Sequence, residues 1–78
     1  MATNFINNER TINFHDLISA SLYEYSDIFC KLNFQYHHSS PMSLKVLCED
    51  GKRFMSLFKD YECGRSSDNY FYFRNTLY

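Results

Sequence analysis

The sequence predicts an α+β domain, with one N-terminal amphipathic helix packed on a three- to four-stranded, mainly antiparallel sheet. Three observations carry that expectation. Apolar residues recur at helical spacing from Phe14 to Phe29. From Cys30 onward the spacing switches to strict alternation. The run Tyr70-Phe71-Tyr72-Phe73 then alternates two kinds of aromatic in the manner of a strand.

Taken in order, Met1 to Thr11 reads as an arm pinned by Phe5. Asn13 is a good helix N-cap, Asp16 suits the positive end of the dipole, and Ile12 and Leu17 occupy the hydrophobic-staple positions. The stripe Phe14, Leu17, Ile18, Leu22, Tyr25, Ile28 and Phe29 then forms one apolar helix face. Tyr23 falls opposite it, among Asp16, Ser19, Asp27 and Cys30.

Cys30, Leu32, Phe34 and Tyr36 alternate with Lys31, Asn33, Gln35 and His37, the pattern of a half-buried strand. His38-Ser39-Ser40-Pro41 is a turn, and alternation resumes through Met42, Leu44, Val46 and Cys48. Residues 52–61 admit two readings. Asp50-Gly51 is a hairpin signal that sets Glu49 across from Lys52. Against it, Phe54, Leu57, Phe58 and Tyr61 fit a short helix, but one with Lys52 and Arg53 at its start and Asp60 and Glu62 at its end opposes its own dipole. The hairpin is favoured. Cys63 to Asp68 forms the last loop, and the aromatic strand closes a single domain spanning 1–78.

Composition bounds the function. A chain of 78 residues is near the lower limit for one self-sufficient core, and eight Phe and seven Tyr supply the bulk it needs. A second copy is the other usual remedy, so a homodimer is one expected partner. The net charge of −1 argues against both a duplex-DNA binder and an acidic DNA mimic. No signal peptide or long apolar run is visible, so no membrane is expected. Together with an odd cysteine count this favours free thiols in the cytoplasm, with a Cys48–Cys63 bridge as the second choice.

Chemistry-bearing motifs are scarce. His15, Cys30, His37, His38, Cys48 and Cys63 lack the close-pair spacing of structural zinc sites, so no metal is expected. No nucleophile motif, acid/base pair or Gly-rich phosphate loop accompanies them, and neither an enzyme nor a cofactor is expected. A binding surface is a better expectation. On the last strand Phe71 and Phe73 share the core side, leaving Tyr70, Tyr72 and Arg74 on the other. Tyr and Arg dominate interface hot spots, so these three are the candidate anchors for a protein partner, with Tyr36 and Tyr23 added. The last strand is also a candidate sheet edge for augmentation, with Tyr78 as an extra handle. The competing use is a single-stranded RNA or DNA platform, in which bases stack on Tyr70 and Tyr72 with Arg74 on the phosphates. Lys31, Asn33, Gln35 and Tyr36 would extend it on another strand. The plainest alternative packs both tyrosines under the helix.

In its size and its richness in Asn, Phe, Tyr, Ile and Ser with few Gly and Pro, the chain resembles the small accessory proteins of AT-rich phages. The resemblance covers composition alone and assigns no residue a role. It implies a stoichiometric binder of a host protein, acting in the host cytoplasm to inhibit or redirect an enzyme or to counter a defence.

Overall fold

The structure is a computed structural model that describes residues 9–74 and 76. Phe5 and Tyr78, read above as a pin and a handle, lie outside the described residues. The elements run β1 (Arg10–Asn13), a 3₁₀ turn (Phe14–Asp16), β2 (Leu17–Glu24), β3 (Phe29–Tyr36), β4 (Met42–Leu47), α1 (Cys48–Glu62) and β5 (Tyr70–Phe73). Among the described residues the fold is α+β with one helix, but that helix is mid-chain. Residues 13–29 do not form the predicted N-terminal helix, and in place of one sheet the described residues form two. One has the order β2-β3-β4 and the other pairs β1 with β5, all antiparallel.

The correction at residues 13–29 has a local cause. Asn13 does cap, its Oδ1 accepting from the His15 backbone N–H at 3.0 Å, but only one 3₁₀ turn follows. The chain then extends, and β2 pairs with β3 along its whole length. A register shift at Ile18 breaks the alternation there, so Leu17, Ala20 and Leu22 reach the core side while Ile18 stays out. Leu17 and Leu22 fit a helical stripe and this interrupted strand equally well. Long-range pairing decides between them. Ser26 ends the strand: its Oγ accepts from the N–H groups of Ile28 and Phe29, making the turn into β3.

Residues 52–61 are helical, against the favoured hairpin. The helix begins earlier than Lys52, at Cys48, which puts Glu49 and Asp50 in its first turn and Lys59 in its last. Its dipole is therefore complemented after all. It stops in a Schellman motif: Gly64, at φ 74°, donates to the Tyr61 carbonyl, and Arg65 donates to that of Asp60. Gly51 lies inside the helix and is buried. A Cβ there would lie 2.9 Å from Leu22 Cδ1 and 3.4 Å from Val46 Cγ2, so the glycine allows α1 to settle close on the three-stranded sheet.

The core is a cluster of rings around Phe54. Its centroid lies 5.4–5.9 Å from those of Phe14, Phe34, Phe58, Phe71 and Phe73. Phe34 comes from the three-stranded sheet, and Phe71 and Phe73 from the two-stranded one. One helix residue thus joins both sheets. The cysteines are a further correction: Cys30 on β3 is disulfide-bonded to Cys48, the first residue of α1, and Cys63 is free and exposed. The β3–β4 ladder carries Cys48 there: Leu47 pairs with Phe29, and the Cys48 backbone N–H donates to the Ile28 carbonyl at 2.7 Å.

Candidate binding surfaces

Two surfaces emerge from this arrangement. The first is the outer side of the β1–β5 pair. Ile12, Phe71 and Phe73 are buried on the inner side, which turns Tyr70, Tyr72 and Arg74 outward beside Thr11 and Asn13. Tyr70 is 59% and Tyr72 51% exposed, values that exclude both from the core. A hydrogen bond to the Glu9 carboxylate raises the Tyr72 hydroxyl pKa above its usual value of 10.0. Tyr72 and Arg74 also line a hollow of about 460 Å³ with Leu47, Glu49, Asp50 and Arg53, which belong to β4 and the first turns of α1.

The five candidate residues do not share one face. Tyr36 lies on the helix side of β3, half-buried, its ring 6.2 Å from that of Phe34. Burial first, and the Asp16 charge second, raise its pKa. It is a core-edge residue. Tyr23 is exposed, but on β2, where it faces away from α1 beside Lys31. The helical polar face assigned to it does not exist.

That open side of the three-stranded sheet is the second surface. Register places Tyr23, Lys31 and Lys45 in one row across β2, β3 and β4, and Ser21, Asn33 and Ser43 in the next. Tyr25, just past β2, sets its ring edge-on to Tyr23 at 5.5 Å, and Lys45 Nζ sits 5.3 Å from its centroid. Ser43 donates to Asn33 Oδ1 at 2.8 Å. Periodicity had counted Tyr25 as part of a buried helical stripe. Only strand pairing puts it beside Lys45.

The metal-capable side chains are engaged or scattered. Glu24, Cys30 and Cys48 have donor atoms within 4.8 Å of one another. The two sulfurs are bonded together, however, and Glu24 pairs with Lys52 at 3.3 Å. His15 Nδ1 lies 2.6 Å from the Tyr61 hydroxyl, while His37 and His38 occupy the exposed turn before β4. No helix among the described residues is long and apolar enough to cross a membrane. No protein-family model, curated protein or solved structure matches the chain.

Proposed function

We propose that this chain is a non-catalytic binding protein that docks the Tyr70, Tyr72 and Arg74 face of β5 on a host protein and inhibits or modulates it. The supporting observation is the contrast along β5: Phe71 and Phe73 are buried while Tyr70 and Tyr72 are more than half exposed. Four aromatics in a row are not needed for the core when two of them face water. Exposed rings with a guanidinium beside them are the composition of an interface hot spot. The carboxylates Glu9, Glu49 and Asp50 close to this face favour a protein over a phosphate backbone here. A phage-type role in the host cytoplasm rests on the compositional resemblance alone. It also requires the fold to hold with Cys30 and Cys48 as thiols, because that compartment is reducing.

The test compares capture from nuclease-treated bacterial lysate by the wild type and by Tyr72→Ala. The expected result is one stoichiometric protein whose affinity for Tyr72→Ala is weaker by about 2 kcal/mol, with melting unchanged. Equal capture by both, or an unfolded Tyr72→Ala, overturns the assignment.

A further inference from the structure

We infer that the open face of the three-stranded sheet is a second binding surface, built for single-stranded nucleic acid. It is separate from the β5 face and does not depend on the reading above.

The argument begins with a local cost. Lys31 and Lys45 are direct cross-strand partners on the same side of the sheet. Like charges in that position repel, and among the described residues neither lysine has an ion-pair partner. The strand positions of that side carry no carboxylate. Glu24 points to the helix side with Lys52, and Asp27 belongs to the turn at the rim. A chain of net charge −1 therefore collects two cations without a carboxylate partner on one face, one of them over the Tyr25 ring, and keeps acids off it. An anionic occupant relieves that repulsion.

The groups around the lysines narrow the class of anion. Tyr23 ends the row, and Tyr25 lies edge-on to it with Lys45 over its ring; exposed rings on a small antiparallel sheet are stacking platforms for unpaired bases. In the next row Asn33 accepts from Ser43 through Oδ1, which leaves its amide N–H groups directed to other acceptors. Ring, cation and cation follow one another across β2, β3 and β4, with the Asn33 amide in the adjoining row on β3, so base face, phosphate and base edge each meet a fitting group. Duplex DNA hides its base faces and cannot use the rings. An acidic peptide would use the lysines but not the stack.

The experiment is fluorescence anisotropy with labelled oligo-dT and oligo-U of roughly a dozen nucleotides, within the site size of small sheet domains. Two phosphate contacts on a single strand give a log–log salt slope of about −1.4, so affinity should fall about sevenfold between about 50 and 200 mM salt. Lys31→Gln with Lys45→Gln should flatten that slope, and Tyr23→Ala should weaken binding about fivefold or more. All three side chains leave the core untouched, so melting serves as the folding control. Tyr70→Ala with Tyr72→Ala should bind the oligomers like the wild type, which separates a failure here from a failure of the protein-partner reading. A preference for one oligomer identifies RNA or DNA as the source. Absence of binding, binding unaffected by the lysine changes, or equal competition by duplex DNA or by polyglutamate overturns the inference.

Discussion

Where the three-stranded sheet meets α1, the contact is close and covalent. Gly51 lets the helix backbone approach Leu22 and Val46, and Cys30–Cys48 fastens β3 to the first helical residue. Where the two-stranded sheet meets the same helix, side chains do the holding, Phe71 edge-on and Phe73 tilted against Phe54. Its strands are four residues each, against six to eight in the other sheet. A short pair of strands can belong to a fold when two of its buried residues, Phe71 and Phe73, reach one central ring. The two attachments should therefore fail under different insults.

Phe54→Ala strikes both at once. At the upper end of the ~3–5 kcal/mol lost on deleting a buried Phe, it should abolish cooperative thermal unfolding of a domain this small. A sharp native-like melt would break the picture of one shared hub. Phe73→Ala should cost about 3–4 kcal/mol but act on one side. Amide-exchange protection should be lost first in β1 and β5 and last in β3. Uniform loss across all strands would show that the sheets are not separable.

Reduction of Cys30–Cys48 should act on the other attachment. Closing a loop of 18 residues contributes about 3 kcal/mol in the chain-entropy account, read as a lower denaturation midpoint in excess dithiothreitol. A midpoint that does not move would leave Gly51 as the main clasp on that side. Gly51→Ala is the finer probe. The added methyl overpacks Leu22 at a cost of about 1–3 kcal/mol, offset by roughly 1 kcal/mol of helix propensity. A small net destabilisation is expected, and Leu22→Ala in the same chain should remove the steric part of it.

The smallest effect concerns Tyr36, at the edge of the three-stranded sheet. Its pKa is raised by burial, so its neutral form contributes stability that is present in full below the ordinary value of 10.0 and lost as pH rises through the folded value. Denaturation midpoints of the wild type should therefore fall faster than those of Tyr36→Phe between about pH 8 and pH 11. Parallel profiles would mean that the hydroxyl is free in water.

The strands β3, β4 and β5 were legible because each buries one face against a single neighbour layer, so alternation in the sequence maps directly onto alternation in burial. Segments serving two layers were not. Residues 17–24 carry a register shift, and Leu17 and Leu22 satisfy helix and strand spacing alike. Residues 48–62 hid a helix behind Asp50-Gly51, where the glycine answers a packing demand from Leu22 that no local pattern announces. The candidate sites divide the same way. That Tyr70, Tyr72 and Arg74 share a face follows from period two alone. That Tyr36 turns inward, and that Tyr25 and Lys45 meet beside Tyr23, follows from pairing between distant strands.

The β1–β5 ladder has a consequence for synthesis. Arg10–Asn13 are made early and find their partners only at Tyr70–Phe73. On the ribosome β1 must wait while the hairpins of the other sheet and the helix form behind it. Until β5 is made, the side of Phe54 that Phe71 and Phe73 cover in the finished fold stays open, the kind of transiently exposed apolar surface from which aggregation starts.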